Sequence, residues 1–358
     1  MKKIVFFTAR DLSNVGGGER MLSLIANGLC ADYDITILTP YKSAPYYKFD
    51  NQVNVETLGF LYQQSSWKRK VQYLSILKAL KAYLSNTNAD YFIASSSMAI
   101  TLTSIVCKSN DERLYAWMHT SYFAPTPKLL KWLDNRNLKK FKVISINTMD
   151  MEEYKKLTKD VFRIPNPLPF SSEQKSSRTE KRIISVGRLE HGKRFDLLID
   201  ICHKVFKNIP EWYLDIYGQD DGERDKLIEK IRTCGMEDRI RINNPIPNIH
   251  EEYLKSSIFL TTTQIEAFPL VLLEACECGL PCICYDVPSG PRDIIKNGYN
   301  GYLVTDLDAE TYCVQLSSLM QSQGVRDELG VNAINKAKEF KTSNVLAQWK
   351  ALLNYHDK

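Results

Sequence analysis

Short apolar runs rich in Val, Ile, Phe and Tyr recur along the chain, and between them lie longer stretches whose apolar positions fall three and four apart. The first half reads KIVFFT, then the helical GGERMLSLIANGLC, then DITILT, VNVETL, a helix from about 67 to 86, YFIASS, RLYAWMH, KVISIN and VFRIP. Strand-length runs alternating with helix-length runs predict parallel strands joined by crossover helices, an α/β layer fold. The alternation pauses at PNPLPFSSEQKSSRTEK, residues 165 to 181, whose prolines, serines and lysines suit a linker. It resumes with RIISVG, a helix from about 193 to 208, YLDIYG, a helix from about 222 to 235, RIRIN, SIFLTTT, PLVLLEACECG, PCICYD, a helix begun by SGPRDII, and GYLV. Helices follow to the end, the last being TSNVLAQWKALLNYH, with Ser343 as the expected N-cap. Two doubly wound Rossmann-like domains are therefore expected, residues 1–167 and 168–341. Such sheets bind ligands at the carboxyl ends of their strands, so a cleft where two of them face each other is the expected place for chemistry.

Composition agrees with a folded chain: 358 residues, 44% hydrophobic and 25% charged. Charge changes the picture more. The net value is +5, yet residues 1 to 170 hold 23 Lys and Arg against 14 Asp and Glu, whereas residues 171 to 358 hold 24 against 28. Two stretches of the first half, WKRKVQYLSILKALKAYL (67 to 84) and PKLLKWLDNRNLKKFK (127 to 142), mix Trp and Leu with Lys and Arg at helical spacing. Each fits either a solvated helix face or peripheral contact with an anionic membrane. No nucleic-acid partner is expected. The apolar run at the start is too short for a signal peptide or a span, and nine scattered cysteines lack a secreted disulfide framework, so a cytoplasmic location is expected.

Candidate chemistry centres on QIEAFPLVLLEACECGLP, residues 264 to 281, where Glu266 and Glu274 flank an apolar run. Ionised carboxylates beside a core segment need polar partners. The segment reads as a turn after SIFLTTT followed by a helix with Pro269 in its first turn. Unpaired amides of Phe268, Leu270 and their neighbours then form an anion or hydroxyl site, and the two carboxylates suit hydroxyl groups of the same ligand. Glu266 as an electrostatic cap and Glu274 as a solvated charge are the competing reading. After the strand RIISVG, Gly187 permits a tight turn, Arg188 can fork onto a phosphate, and Lys193 opens a helix where a second cation reaches the same oxygens. Two such cations suit a diphosphate leaving group without a metal. NVGGGER, 14 to 20, lets backbone approach a ligand closely but is neither a dinucleotide fingerprint nor a P-loop. The C-x-C-x3-C-x-C of Cys276, Cys278, Cys282 and Cys284 is split between a helix and a strand and reads as packing, and the D-x-D pairs at Asp32 and Asp306 read as surface loops.

Together these segments resemble the GT-B glycosyltransferases of family 4: the loop of Gly17, Gly18, Glu19 and Arg20, His119 after a strand in YAWMHTS, the linker IPNP, SVGRLE with its following Lys193, and the E-x7-E pair Glu266 and Glu274. The resemblance runs from residue 3 to about 340. It implies a retaining hexosyltransferase that uses a nucleotide sugar, most often a UDP-sugar, without a metal or other cofactor, and a lipid-linked or oligosaccharide acceptor in surface polysaccharide assembly. By the same resemblance Arg188 and Lys193 bind the diphosphate, Glu274 the ribose, and Glu266 with the backbone of Ala267, Phe268, Pro269 and Leu270 the donor sugar. His119 would contact that sugar, the Gly17–Gly18 loop would close on phosphate or acceptor, and the final helix, about 342–358, would return to the first domain. Asn244-Pro245 stands where a glycine is usual, and YGQDDGERDKL is longer and more acidic than the usual form. A UDP-sugar epimerase or glycan phosphorylase on the same fold, or a non-catalytic glycan-binding partner, are the alternatives.

Overall fold

The protein was analysed as a computed structural model that describes residues 1–63, 65–108 and 111–354. Two compact units divide the chain, Met1–Pro169 with Thr342–Lys358, and Phe170–Lys341.

The first unit runs β1 (Lys3–Phe7), α1 (Gly17–Leu29), β2 (Asp34–Tyr41), β3 (Asn54–Phe60), α2 (Ser66–Asn86), β4 (Tyr91–Ala94), α3 (Ser97–Val106), β5 (Leu114–Met118), α4 (Lys128–Leu138), β6 (Lys142–Ser145), α5 (Thr148–Lys155) and β7 (Val161–Arg163). Its seven strands are parallel in the order β3-β2-β1-β4-β5-β6-β7, so the winding reverses between β1 and β4. Ile4, Val5, Phe6 and Phe7 are wholly buried, as expected of a central strand covered on both faces.

The second unit runs β8 (Arg182–Val186), α6 (Phe195–Phe206), β9 (Tyr213–Tyr217), α7 (Arg224–Thr233), β10 (Ile240–Asn243), α8 (Ile249–Leu254), β11 (Ile258–Thr261), α9 (Leu270–Glu277), β12 (Cys282–Asp286), α10 (Pro291–Ile294), β13 (Gly301–Thr305), α11 (Ala309–Gln321) and α12 (Gln323–Ala337). Its parallel order is β10-β9-β8-β11-β12-β13, with the reversal between β8 and β11. The four cysteines of the C-x-C-x3-C-x-C stretch are free and buried here, Cys276 and Cys282 having sulfurs 3.9 Å apart. Among the described residues no group of three or more His, Cys, Asp or Glu could hold a metal ion.

A last helix, α13 (Thr342–Leu353), belongs to the first unit. Trp349 is fully buried there, edge-on to Trp117 at 5.0 Å and to Phe6 at 6.0 Å. Removing such a side chain costs about 3–5 kcal/mol. Leu346 lies against Gly28, where a Cβ would come within 2.7 Å of its methyls, so a larger residue at 28 would require the Leu346 side chain to move. The helix starts at Thr342, which places Ser343 inside its first turn rather than at the N-cap; Lys341, with φ −53° and ψ 141°, is extended and separates α13 from the turn Lys338–Phe340.

The D-x-D pairs have local partners. Asp32 meets Lys350 at 2.6 Å, Asp306 meets Arg194 at 2.6 Å, and Asp308 caps α11 by accepting from the Thr311 amide at 3.0 Å. No helix among the described residues is long and apolar enough to cross a membrane.

Candidate functional site

In the second unit the chemistry gathers where the winding reverses. β8 and β11 are adjacent, so the loops that leave their carboxyl ends are neighbours. Backbone fastens them: the Gln264 amide donates to the Gly192 carbonyl at 2.9 Å, and the Thr262 hydroxyl lies 3.0 Å from the Lys193 carbonyl and 2.8 Å from that of Arg194. Lys193 does not open α6, as its spacing suggested. It ends a one-turn 3-10 helix, His191–Lys193, and Arg194 with φ 50° breaks the winding before Phe195. That break turns the Lys193 side chain aside from α6, and its ammonium donates to Glu266 Oε1. Both side chains are mostly buried, at 17% and 22% exposure.

A third loop completes the seat. Past β12, Gly290 donates its amide to the Glu266 carbonyl at 2.9 Å, and Ser289, fully buried with φ 85°, forms a bridge with Glu266. A Cβ at Gly290 would stand 2.6 Å from the Ala267 carbonyl oxygen and 2.7 Å from Phe268 Cα, so the loop docks this closely only as glycine. Pro269 precedes α9, and the amides of Leu270 and Val271 in its first turn have no acceptor within the helix. One turn further, Glu274 is buried at 4% exposure and accepts from the Tyr253 hydroxyl at 3.1 Å. Burial and then the Glu274 charge push that phenol well above its usual pKa.

Arg188 is the exposed member, at 61%, held by Asp221 at 3.0 Å and Glu190 at 3.1 Å. The acidic YGQDD stretch thus has work in the fold: Asp220 accepts from the amides of Gly222, Glu223 and Arg224, and Asp221 steers Arg188. Asn244, where a glycine is usual, accepts from Arg224 at 3.0 Å. Tyr253 and Asp221 were not singled out from sequence, since their partners lie 21 and 33 residues away along the chain.

The first unit also gathers polar groups at its reversal, between β1 and β4. Gly16 is the N-cap of α1, Gly17 and Gly18 form its first turn, and the Glu19 carboxylate folds back into the space a Cβ on Gly16 would need. Glu19 is 5% exposed; Oε1 faces Arg10 at 3.4 Å and Oε2 accepts from no group. His119 follows β5, its ring 4.2 Å from that of Trp117 and within 3.9 Å of a Cβ placed on Gly18. Its Nε2 is sealed from solvent without a partner, and burial first, the Arg10 charge second, lower the imidazole pKa to about 3. His119 is therefore neutral at any pH near 7. His191, His203 and His250 join no metal-like cluster among the described residues, and His356 lies outside those residues.

Two parallel-sheet Rossmann-like units of this kind make the GT-B fold, and the chain is a glycosyltransferase. Residues 169–338 match the family described as Glycosyl transferases group 1, so the second unit carries that domain. Two bacterial relatives are similar over nearly the whole chain. The amylovoran biosynthesis glycosyltransferase AmsD of Erwinia amylovora is 28% identical over 96% of this chain and 97% of its own. A Campylobacter jejuni protein, named GalNAc-alpha-(1->4)-GalNAc-alpha-(1->3)-diNAcBac-PP-undecaprenol alpha-1,4-N-acetyl-D-galactosaminyltransferase, is 25% identical over 99% of this chain and 98% of its own. Among solved structures, a TarM variant of S. aureus in complex with fondaparinux, alpha-GlcNAc-glycerol and UDP superposes with a TM-score of 0.80 at 15% identity, covering 99% of this chain and all of its own.

Proposed function

We propose that the chain moves a hexose or N-acetylhexosamine from a nucleotide sugar, foremost a UDP-sugar, to a lipid-linked or oligosaccharide acceptor in bacterial surface polysaccharide assembly, with retention at the anomeric carbon. One observation carries the reading: a cation and a carboxylate, Lys193 and Glu266, meet beside the open amides of α9 at the reversal of the second sheet. The names of the E. amylovora and C. jejuni relatives and the UDP in the TarM complex support it.

In this reading the Lys193 ammonium and the Arg188 guanidinium take the diphosphate oxygens, and the first amides of α9 add their dipoles. As the bond from the anomeric carbon to the diphosphate breaks, those cations offset the charge growing on the leaving oxygen without a metal. Glu266, released from Lys193, accepts from sugar hydroxyls and offsets positive charge on the ring. Glu274 accepts from a ribose hydroxyl while keeping Tyr253. The acceptor oxygen forms its bond on the face the diphosphate leaves, and the departing phosphate oxygen takes the acceptor proton. In the first unit, the neutral His119 is assigned to a sugar hydroxyl and the Gly17–Gly18 backbone to phosphate or acceptor. The work is done at the cytoplasmic face of the membrane.

Thermal shifts with UDP-, GDP-, ADP- and dTDP-sugars, each with and without EDTA, test this. Ligand at 100 times its Kd adds about 2.7 kcal/mol, a shift of several degrees. One nucleotide class should raise the melting temperature, with EDTA making no difference and Lys193→Ala losing the rise. No rise with any of them refutes the donor site, and a rise abolished by EDTA refutes metal-free binding.

A further inference from the structure

We infer that a cavity between α3, α4 and α5 of the first unit reads the hydroxymethyl arm of a neutral hexose, the Asp134 carboxylate accepting from its hydroxyl and the Tyr154 hydroxyl donating to it. The inference rests on the proposed function only in taking that hexose as the end of the acceptor; the cavity shares no residue with the donor set of the second unit.

β4 and β5 are adjacent, and ligands of such sheets meet the chain where it leaves the carboxyl ends of the strands. The chain leaving β4 reaches Ser97 at the start of α3, and the chain leaving β5 carries Thr120 and Tyr122. With Lys131 and Asp134 of α4 and Tyr154 of α5 they line a cavity of about 80 Å³. Thr120 is exposed at its rim, whereas Tyr154 is 1% exposed. Lys131 is already committed: its ammonium donates to the Tyr122 carbonyl at 2.8 Å and lies 3.9 Å from the centre of the Tyr122 ring. Asp134 and Tyr154 are not, since neither side chain has a hydrogen-bond partner among the described residues. Burial raises the Asp134 pKa, the sign of a carboxylate that has lost water and gained no donor. Burial first, then Asp150, Tyr122 and Asp134, push the Tyr154 phenol up, so it stays protonated and able to donate. A buried tyrosine hydroxyl ordinarily finds a partner, and a desolvated carboxylate costs free energy until it does.

The lining selects the occupant. A group that donates to Asp134 and accepts from Tyr154 can be a single alcohol, because one hydroxyl oxygen does both. Charged groups are refused: an amine would face the Lys131 ammonium, and a carboxylate or phosphate would face Asp134. Size narrows the choice further. The cavity is far below the roughly 300–1,000 Å³ of a site that encloses a whole ligand, so a pyranose ring stays outside and sends in one arm. A ring hydroxyl would bring the ring with it, whereas the hydroxymethyl group of a hexose stands one carbon clear. An acetamido arm ends in a methyl group and would leave Asp134 without a donor.

Saturation-transfer NMR of the full chain with methyl glycosides of glucose, galactose and mannose tests the proposal, at concentrations well above those used for nucleotide sugars. Each glycoside is used as the parent, as the form lacking the hydroxymethyl oxygen, and as the uronic acid. At least one parent should bind, with the strongest transfer at its hydroxymethyl protons, and neither of its two relatives should. Tyr154→Phe should weaken that parent about two- to tenfold, the worth of one hydrogen bond, at an unchanged melting temperature. Asp134→Asn should admit the uronic acid that the wild type refuses, a gain that a merely structural carboxylate would not produce. Absence of transfer from every parent overturns the proposal, as does equal transfer from the form lacking the hydroxyl or continued refusal of the uronic acid by Asp134→Asn. A parent response that neither substitution changes places the sugar elsewhere and overturns it too. Wild-type thermal shifts with nucleotide sugars report the donor site independently, so failure of this cavity and failure of the donor reading are separate results.

Discussion

Lys193→Ala removes one member of the ion pair that joins the two central loops of the second unit. Charges about 4 Å apart at an effective dielectric of about 20 attract by roughly 4 kcal/mol. Desolvation and side-chain ordering cancel much of this, so the net loss on truncating one partner of a mostly buried pair should be about 1–3 kcal/mol. For a unit of this size that lowers the melting temperature by roughly 2–10 °C. The effect on transfer should be larger, on the order of 100- to 1000-fold, because the ammonium is asked to stabilise charge that grows only in the transition state. A double-mutant cycle with Glu266→Ala, read as kcat/KM for the nucleotide sugar found by thermal shift, separates the roles. If both groups hold one donor, the double variant should lose far less than the product of the single losses. Near wild-type transfer by Lys193→Ala, folded by circular dichroism, would refute the reasoning.

Other predictions follow from the same geometry. His119 has a pKa of about 3 against an ordinary 6.5, so between those values the unfolded chain binds a proton that the folded chain refuses. Stability present above pH 6.5 is therefore lost as pH falls, by about 1.4 kcal/mol per pH unit, and His119→Gln should flatten that limb between pH 6.5 and 4.5 in urea titrations; an unchanged limb counts against burial as the cause. Gly290→Ala forces a methyl group to within 2.7 Å of backbone at Ala267 and Phe268, which should cost about 1–3 kcal/mol and weaken the nucleotide-sugar thermal shift. Arg182, 6% exposed, holds Asp215 at 2.7 Å and Glu252 at 2.6 Å away from the reacting groups. Arg182→Met should therefore cost about 3–5 kcal/mol in calorimetry, the penalty of stranding Asp215, with the response to nucleotide sugar intact at low temperature.

The order of strands and helices, the linker and the Glu266–Glu274 spacing were legible because each is local: periods of two and 3.6, a proline cluster, a fixed offset from a loop into the helix that follows it. What escaped was set by tertiary approach. Lys193 and Glu266 are 73 residues apart, and their meeting depends on β8 and β11 pairing across the winding reversal. The left-handed Arg194 could not be foreseen, since arginine is not a residue whose identity announces positive φ. Gly290 looked like an ordinary turn glycine; its reason is the backbone at 267 and 268, which sequence does not place beside it. The acidic loop at 219–223 stood out as a departure, and only the structure showed that one aspartate caps α7 while the next restrains Arg188.

The pairing of Lys193 with Glu266 also bears on which molecules the site can admit. A neutral saccharide offers hydroxyls to Glu266 but no anion to Lys193, so opening the pair for it leaves a mostly buried ammonium without a counter-charge. A free nucleoside diphosphate satisfies Lys193 and strands the carboxylate instead. A nucleotide sugar brings both an anion and hydroxyls, and offsets both desolvations in one event. Thermal shifts should then rank the nucleotide sugar above the diphosphate and show no response to the free sugar at matched concentration. In Glu266→Gln, which has no charge to strand, the diphosphate should gain on the nucleotide sugar. Equal responses of the wild type to nucleotide sugar and diphosphate would mean that Glu266 does not face the sugar, and its pairing with Lys193 would then be a structural contact alone.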